Sequence, residues 1–265
     1  MTLRKTWFLF VMSVLLISCS SKSPQVQKSA FFVVDANVSA EVQAERDEIY
    51  MLTAYGVVLN DWQTGEGDKR GHNIGSILVN PEGEIVRWAR NCNAALSSGT
   101  QHGEVRLMMG YLNEAGGYSL KGFTVYTSLE PCAQCSGMMI LTSVHRTVYG
   151  QADPGFGGAL ERLALDSKKW NENGYGPYPR KVISDKSQSE YCARLDKAYE
   201  KAGGSITKFL LTDEAKEIFT EAVEDLNNYE LKYPEENRKI LDQAKETLKG
   251  VYPGIPVICL EPKAK

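Results

Sequence analysis

The spacing of hydrophobic and polar residues changes several times along the chain, and each change marks an expected element of secondary structure. Within residues 45–57, apolar residues recur every three to four positions among charged ones, which predicts an amphipathic helix. Two short apolar runs, residues 74–80 and 85–89, flank the turn Pro81-Glu82-Gly83. These runs predict the two strands of a β-hairpin.

The next part of the chain alternates helical and extended patterns. A helix is predicted over residues 105–114, ending at Gly116-Gly117, and a strand follows over residues 123–127. A second helix is predicted over residues 132–142 and a further strand over residues 147–150. Strands that alternate with helices of this length indicate an α/β layered fold.

The C-terminal part of the chain has a different character and follows a loop rich in glycine and proline over residues 171–179. Thr212 can cap a helix whose first acidic residues suit the positive end of the helix dipole. A second amphipathic pattern covers residues 240–248. We expect both helices to pack against the core. The boundaries predicted are therefore a main domain over residues 45–211 and a C-terminal helical extension over residues 212–265.

The first twenty residues carry a targeting pattern and are not expected to belong to the fold. Arg4 and Lys5 precede residues 7–17, which are apolar except for one serine. A membrane-spanning helix needs about 20 apolar residues, so this stretch predicts a signal peptide rather than a permanent anchor. The sequence Leu16-Ile17-Ser18-Cys19 resembles the bacterial lipobox, in which the cysteine is lipidated and becomes the mature N-terminus.

These features predict a lipoprotein signal peptide over residues 1–19, lipidation of Cys19, and a polar, serine-rich tether over residues 20–44. The protein is then expected to be exported and held by its lipid at the cell envelope, on the periplasmic or extracellular face. Two alternatives stay open. One is ordinary cleavage after Ser20, and the other is a cytosolic protein whose start is apolar by chance.

Composition and charge exclude several classes of protein. The chain has 265 residues, of which 43 % are hydrophobic and 24 % charged, and its formal net charge is −3. These values exclude a disordered acidic chain, a collagen-like fibre and a multi-span membrane protein. Residues 1–19 contain two basic residues and no acidic one, so the mature chain carries −5. Proteins that depend on phosphate contacts usually carry a basic excess, so the charge disfavours a nucleic-acid partner.

Six cysteines and three histidines are too few for a disulfide scaffold or a histidine-rich metal store. His102 and Glu104 stand at the start of one predicted helix, and Cys132 and Cys135 at the start of the next. The two cysteines are one helical turn apart, so their sulfur atoms point the same way. One histidine and two thiolates supply three ligands for Zn²⁺ and leave a fourth position for water, as in a catalytic zinc site.

Each half of this pattern has another interpretation when it is taken alone. An H-x-E triplet is usually an ordinary helix start, and a C-x-x-C outside the cytosol can be a disulfide or a redox pair. Together and in this order they form the known H-x-E…P-C-x-x-C signature of zinc-dependent deaminases. The combination favours a zinc site built from His102, Cys132 and Cys135, with Glu104 leaning over the open position without binding the metal.

On these residues the chain resembles the cytidine-deaminase-like superfamily over about residues 45–165. The segment 126–137, which reads Y-T-S-L-E-P-C-A-Q-C-S-G, is very similar to the T-L-E-P-C-x-x-C-x-G run of one branch. That branch holds bacterial tRNA adenosine deaminase, guanine deaminase and cytosine deaminase, and residues 147–150 match its next strand. Asn91 lies eleven residues before His102, where these families place an asparagine that holds the base or the sugar of the substrate.

The resemblance implies a three-layer α/β/α fold with a mixed five-stranded sheet, zinc at two helix N-termini, and often a homodimer. It also implies hydrolytic deamination, in which a zinc-bound hydroxide attacks the amidine carbon of a nucleobase and ammonia leaves. Glu104 would take the proton of the water and pass it to a ring nitrogen and then to ammonia.

Four features depart from this branch or divide its members. Gly103, in the middle of the H-x-E triplet, is closer to the cytosine deaminase pattern, whereas Glu130-Pro131 favours the adenosine and guanine deaminases. Basic tails that help the tRNA enzymes to hold RNA are not evident, and the extension after residue 212 has no recognised counterpart. The identity of the substrate therefore does not follow from the resemblance.

Three functions remain open. The leading hypothesis is an exported, lipid-anchored zinc hydrolase that deaminates a free nucleobase or nucleoside of the cytosine, guanine or adenine type. The second is a nucleic-acid deaminase similar to the tRNA adenosine enzyme. The third is a non-catalytic surface lipoprotein that keeps a structural metal. Glu104 weighs against the third hypothesis, because a decayed enzyme has no physical need for a carboxylate over an open coordination position.

The other reactive side chains are expected to have structural roles. His72 is expected to be structural or to face solvent, and His145 to have no catalytic role. Cys92, Cys192 and Cys259 can form at most one disulfide, and buried free thiols are expected instead. Residues 153–158 form either a plain glycine loop or a lid over the pocket, and both interpretations stay open.

Overall fold

The computed structural model of the protein describes residues 38–65 and 70–255. The predicted signal peptide, the lipidation site Cys19 and residues 20–37 of the predicted tether lie outside these residues. The first predicted helix is present as α1 (Ala40–Leu59), and Ser39 caps it by accepting a hydrogen bond from the backbone N of Val42 at 3.3 Å. Because α1 begins at Ala40 rather than at residue 45, the last five residues assigned to the tether belong to this helix.

The strands form one mixed five-stranded sheet, as expected. They are β1 (Gly75–Val79), β2 (Ile85–Arg90), β3 (Thr124–Leu129), β4 (Arg146–Gln151) and β5 (Ile183–Lys186). Their spatial order is β2-β1-β3-β4-β5. β1 pairs antiparallel with β2 and with β3, whereas β4 runs parallel to β3 and to β5. The predicted hairpin is therefore confirmed, and the sheet changes from antiparallel to parallel at β3.

Seven further α-helices follow α1 in the described part of the chain, together with a 3₁₀ turn at Ser167–Lys169. None of the helices within residues 38–65 and 70–255 is long and apolar enough to cross a membrane. Four of these helices confirm the predictions for residues 105–114, for residues 132–142, for the helix capped by Thr212 and for residues 240–248. The helices are α2 (Gly103–Ala115), α3 (Ala133–Leu141), α4 (Ala159–Leu163), α5 (Glu190–Ala202), α6 (Ile206–Phe209), α7 (Asp213–Asn227) and α8 (Pro234–Lys249).

β5 and α5 are not among the elements predicted from the sequence. β5 is an edge strand of the sequence I-S-D-K whose residues are exposed or half-buried, so it shows no alternation of apolar and polar positions. α5 does carry a usable signal, because Tyr191, Leu195 and Ala198 are buried at helical spacing among charged residues.

The sheet separates two hydrophobic layers, because successive side chains of a strand point to opposite faces. Helices α2 and α3 cover one face, and α1, α5, α7 and α8 lie on the other. The expected three-layer α/β/α architecture is therefore confirmed. The first layer includes Leu78, Ala89, Leu107, Met108, Val125 and Met139, and the second includes Ile49, Tyr55, Ile77, Tyr126, Val148, Leu195, Phe219 and Leu241.

The C-terminal helices pack against the core, as expected, and complete the burial of α1. A Cβ atom at Gly56 of α1 would lie 2.5 Å from Cδ1 of Leu248 in α8, so glycine at this position lets the Leu248 side chain pack closely against α1. The rings of Tyr55 in α1 and Phe219 in α7 have centroids 4.7 Å apart. The predicted extension after residue 211 therefore shares one hydrophobic core with the preceding part of the fold.

Candidate active site

Two helix N-termini bring the three predicted metal-binding side chains together. His102 is the N-cap residue of α2, Cys132 is the N-cap residue of α3, and Cys135 lies in the first turn of α3. The Sγ atoms of Cys132 and Cys135 are 3.7 Å apart, and each lies 3.5 Å from Nδ1 of His102. The three residues form a candidate metal site, because their ligand atoms all lie within 4.8 Å of one another.

The spacing of these atoms fits a tetrahedral zinc site. Thiolate sulfur binds Zn²⁺ at about 2.3 Å and imidazole nitrogen at about 2.0–2.1 Å. Those bond lengths place two sulfur ligands of a tetrahedron about 3.8 Å apart, and a sulfur and a nitrogen about 3.6 Å apart. The corresponding distances here are 3.7 Å and 3.5 Å. The donor set therefore fits a zinc ion with one position left for another ligand.

The surroundings of the sulfur atoms favour a thiolate before any metal binds. The hydrogen bond with Cys135 lowers the pKa of the Cys132 thiol to about 4. The same hydrogen bond, together with burial, raises the pKa of Cys135. A hydrogen bond with Cys132 raises the pKa of His102. A sulfur atom at a helix N-terminus is further stabilised as an anion by the helix dipole.

Glu104 lies in the first turn of α2 beside the cluster of His102, Cys132 and Cys135, and it is only 3 % exposed. Its Oε1 accepts a hydrogen bond from Oγ1 of Thr127 at 3.0 Å. Its Oε2 is buried and has no hydrogen-bond partner among the described residues. Burial raises the pKa of Glu104. A buried oxygen without a partner is expected where a water molecule or a substrate completes the bonding.

Asn91 follows β2 and lies against the start of α2. Its Oδ1 accepts a hydrogen bond from the backbone N of Gly103 at 2.7 Å, which fixes the orientation of the side-chain amide. Asn91 is 1 % exposed, and in the described part of the structure its Nδ2 has no hydrogen-bond partner. The amide therefore keeps a donor for another molecule next to the residue that follows His102.

The loop over residues 153–158 is tied to the segment that carries Cys132. Oε2 of Glu130 accepts a hydrogen bond from the backbone N of Asp153 at 3.0 Å, and Oε1 accepts one from the backbone N of Gly158 at 2.7 Å. A Cβ atom at Gly157 would collide with the Glu130 carboxylate, so only glycine fits there. Of the two interpretations of this loop, its attachment at both ends favours a plain glycine loop over a lid.

Thr127 and Glu130 lie within the motif segment 126–137, but the sequence predicts no role in the site for either of them. Both carry a usable signal in their position. Thr127 is a polar residue in the middle of a strand that is otherwise apolar at alternate positions, and Glu130 directly precedes Pro131 and Cys132.

The remaining candidate side chains lie elsewhere. His72 and His145 are half-buried and are not part of the cluster around His102. Cys92 and Cys192 are buried free thiols, as expected, and Cys259 lies outside the described residues.

A layered α/β/α fold with a His-Cys-Cys cluster and a buried glutamate at two helix N-termini defines the class of zinc-dependent deaminase domains. Residues 45–151 match the family described as the cytidine and deoxycytidylate deaminase zinc-binding region. The chain is 32 % identical over 128 residues to the tRNA-specific adenosine deaminase of Bacillus subtilis. The matched residues are 48 % of this chain and 75 % of that enzyme. The chain therefore belongs to the cytidine and deoxycytidylate deaminase family.

Other relatives are matched over smaller shares of their length. The tRNA-specific adenosine deaminase of Haemophilus influenzae is 29 % identical over 115 residues, which are 43 % of this chain and 64 % of that enzyme. The tRNA(Ile)-lysidine synthase of Deinococcus deserti is 34 % identical over 97 residues, which are 37 % of this chain and 18 % of that protein. The chain thus spans less than two thirds of each of these two relatives.

Solved structures of related proteins align with this chain at low identity. A structure from work on A-to-I editing by tRNA:A34 deaminases is 24 % identical with a TM-score of 0.33, covering 43 % of this chain and 78 % of that one. The guanine deaminase of Bacillus subtilis is 22 % identical with a TM-score of 0.34, covering 55 % and 87 %. The guanine deaminase of Nitrosomonas europaea is 13 % identical with a TM-score of 0.38, covering 68 % and 84 %. Similarities this low leave the substrate open.

Proposed function

We propose that the protein is a zinc-dependent hydrolytic deaminase that releases ammonia from a free nucleobase or nucleoside of the cytosine, guanine or adenine type. The observation that carries this proposal is the buried, unpartnered Oε2 of Glu104 beside the cluster of His102, Cys132 and Cys135. Burying a carboxylate oxygen without a partner costs free energy, and a purely structural metal site gains nothing from it. A reaction that needs a proton acceptor at this place explains the cost.

In this proposal His102, Cys132 and Cys135 hold the zinc ion. When bound, zinc acidifies a water molecule and so supplies the nucleophile for attack on the amidine carbon of the base. Glu104 would accept the first proton of the water at Oε2 and deliver it to the ring nitrogen. It would then carry the second proton, from the hydroxyl added to the ring carbon, to the amino group, which leaves as ammonia. Burial raises the pKa of Glu104, so the side chain is suited to hold a proton between these transfers.

Asn91 is proposed to orient the substrate. Its Oδ1 is already engaged by the start of α2, so its Nδ2 donates to an acceptor on the base or the sugar. A single fixed donor of this kind restricts the substrate to one orientation but does not by itself select one base.

A small substrate is supported by charge and by the targeting pattern. The mature chain would carry −5, which gives a polyanion little electrostatic attraction. Export across the membrane, if residues 1–19 act as a signal peptide, would separate the protein from intracellular tRNA. The names of the relatives favour a second candidate, a nucleic-acid deaminase, because the Bacillus subtilis relative is a tRNA-specific adenosine deaminase.

The experiment that tests the proposal uses purified, zinc-loaded protein and measures ammonia release from cytosine, guanine, adenine and their nucleosides. We expect one zinc ion per chain and turnover of at least one compound. Glu104→Ala should retain zinc and lose turnover, Cys132→Ala should lose both, and the control His145→Ala should keep both. Turnover that survives in Glu104→Ala would contradict the mechanism.

The same preparation distinguishes the second candidate. If the small compounds give no ammonia but an unmodified tRNA transcript is converted from adenosine to inosine, with RNA binding that weakens as salt rises, the protein is a nucleic-acid deaminase. Sedimentation of the same sample tests the homodimer that the family resemblance implies.

We also propose that Cys19 is lipidated and that the protein is anchored at the cell envelope. The support is the basic start, the apolar run and the lipobox-like sequence within residues 1–19. Labelling of cells with a radioactive fatty acid should mark the wild-type protein and the control Cys259→Ala, but not Cys19→Ala. An unlabelled wild-type protein that is found in the cytosol would contradict this localisation.

A further inference from the structure

Two buried hydroxyl groups form a chain that ends on Glu104. Ser76 in β1 and Thr127 in β3 are directly opposite each other in the antiparallel pair, and both are 0 % exposed. Oγ of Ser76 donates to Oγ1 of Thr127 at 3.2 Å, and Oγ1 of Thr127 donates to Oε1 of Glu104 at 3.0 Å. The two hydrogen bonds therefore run in one direction, from the sheet to the carboxylate.

The two hydroxyls interrupt an apolar face of the sheet. Leu78 lies two residues from Ser76 in β1, and Val125 lies two residues from Thr127 in β3. Both belong to the hydrophobic layer that packs against α2. A hydroxyl at such a position costs free energy unless it is hydrogen-bonded. Thr147 in the neighbouring strand meets this need locally, because its Oγ1 donates to the backbone O of Val125 at 3.1 Å. Thr127 instead donates to the side chain of Glu104.

Gly103 lies close to the Ser76 hydroxyl. A Cβ atom at Gly103 would lie 3.2 Å from Oγ of Ser76 and 3.2 Å from the backbone O of Ala89. Glycine in the middle of the H-x-E triplet therefore allows the Ser76 hydroxyl to lie directly under the start of α2.

We infer that Ser76 and Thr127 are positioning residues, which hold the Glu104 carboxylate so that Oε1 is engaged and Oε2 is presented to the reacting atoms. The inference rests on the proposed function. The last torsion of a glutamate side chain has broad, shallow preferences, so the carboxylate of Glu104 needs an external partner to keep one orientation. Thr127 is that partner, and Ser76 orients the Thr127 hydroxyl by donating to it, which leaves the Thr127 proton for Glu104.

The test compares Thr127→Val, which removes only the hydroxyl from a side chain of the same shape, with Thr127→Ser, which keeps it. For Thr127→Val we expect kcat to fall about 10–100-fold, the loss typical of one hydrogen bond to a charged group, with KM changed less than about 2-fold. Thr127→Ser should stay within about 3-fold of the wild type, and Ser76→Ala should lose about 3–10-fold. Zinc content should remain one per chain in all three variants.

Thr147→Val is the matched control, because it removes a buried hydroxyl from the same sheet whose partner is a backbone carbonyl. It should leave kcat unchanged. Equal kcat values for Thr127→Val and Thr127→Ser would overturn the inference. If Thr127→Val fails to fold, the kcat values of Ser76→Ala and Thr147→Val are compared instead. A lower kcat in Ser76→Ala alone supports the inference, and equal kcat values in the two variants overturn it.

A structural readout separates this inference from the proposed function. Crystal structures of the zinc-loaded variants should show the Glu104 carboxylate rotated about its last torsion in Thr127→Val and superposed on the wild type in Thr127→Ser. A carboxylate that keeps its orientation in Thr127→Val would overturn the inference, whatever the activity. A wild-type protein that deaminates neither the small compounds nor RNA would instead contradict the proposed function.

Discussion

Two buried glutamates, Glu45 in α1 and Glu104 in α2, show how differently one fold treats the same side chain. Glu45 is 6 % exposed and Glu104 is 3 % exposed. The carboxylate of Glu45 accepts three hydrogen bonds, from the backbone N of Lys232 at 2.6 Å, the backbone N of Tyr233 at 3.2 Å and Nδ2 of Asn237 at 2.7 Å. Glu104 accepts one from Thr127 at Oε1, and its Oε2 has no partner within the described residues.

The difference indicates different roles. Glu45 is satisfied from both sides and connects α1 to the start of α8, where Tyr233 is the N-cap residue and the helix dipole favours a negative charge. Glu104 is left with an open acceptor next to three possible metal ligands. A carboxylate that only stabilised the fold would be expected to look like Glu45. The incomplete bonding of Glu104 indicates a role toward another molecule because it lies beside three possible metal ligands.

The largest effect that the comparison predicts is on turnover. Glu104→Gln keeps an oxygen for Thr127 but removes the proton acceptor, so we expect kcat to fall about 10²–10⁴-fold. Zinc content should stay at one per chain, since the three ligands are unchanged. Glu45→Gln is the matched control and should leave kcat as in the wild type. Ammonia release under saturating substrate measures kcat for both variants. Equal losses of kcat in Glu104→Gln and Glu45→Gln would show that the two glutamates do not differ in role.

The next largest effect is on stability. Glu45→Ala leaves two backbone N–H groups and the buried amide of Asn237 without their acceptor, so we expect the free energy of unfolding to fall by about 3 kcal/mol. In a domain of this size that loss lowers Tm by about 6–12 °C. Glu41→Ala, an exposed acid in the first turn of the same helix, should remain close to the wild type. Thermal unfolding followed by circular dichroism compares the two, and a similar Tm for both would show that the Glu45 network contributes nothing.

Two buried asparagines extend the comparison. Asn73 has its amide fully engaged, because Nδ2 donates to the backbone O of Gln63 and of Leu210 and Oδ1 accepts from the backbone N of Gln63. Nδ2 of Asn91 has no hydrogen-bond partner among residues 38–65 and 70–255. Asn91→Ala should lower kcat/KM about 10–100-fold with a stability loss of about 1 kcal/mol, whereas Asn73→Ala should cost about 3 kcal/mol and leave KM unchanged. If Asn91→Ala instead lowered the stability by about 3 kcal/mol and left kcat/KM unchanged, Asn91 would be a structural residue.

The smallest effect is a dependence of stability on pH at a third carboxylate, that of the half-buried Glu48. Burial raises the pKa of Glu48, which accepts one hydrogen bond from Oγ of Ser189 at 2.8 Å. Since the folded chain then binds this proton more tightly than the unfolded chain, the stability contributed by Glu48 is highest below pH 4.5 and is lost as the pH rises through the folded-state pKa.

Glu48→Gln should therefore stabilise the protein at pH 7 by about 0.5–1 kcal/mol, and the gain should shrink toward zero as the pH approaches 4. Urea unfolding of the two proteins at several pH values measures this difference. A gain that is independent of pH would show that the charge of Glu48 is not its source.

Much of the fold and the three possible metal ligands could be predicted, because their signals are local in sequence. Cys132 and Cys135 are one turn apart, and each motif stands where a helix begins, so the helix start itself aims the side chains. β5 was missed because an exposed edge strand has no hydrophobic alternation. The Ser76–Thr127 pair was missed because it joins residues 51 positions apart, and its register is set by the pairing of β1 with β3.

The sequence by itself determined which chemistry the chain can support: one histidine, two thiolates and a glutamate at two helix starts, on an α/β framework with a small negative charge. Only the tertiary structure decided which polar atoms remain available. Within the part of the chain that the structure describes, Oε1 of Glu104 and Oδ1 of Asn91 are hydrogen-bonded, whereas Oε2 of Glu104 and Nδ2 of Asn91 have no partner. The physical reason is that each of these hydrogen bonds joins separate elements of the fold, so their partners are known only once strand register and helix packing are fixed.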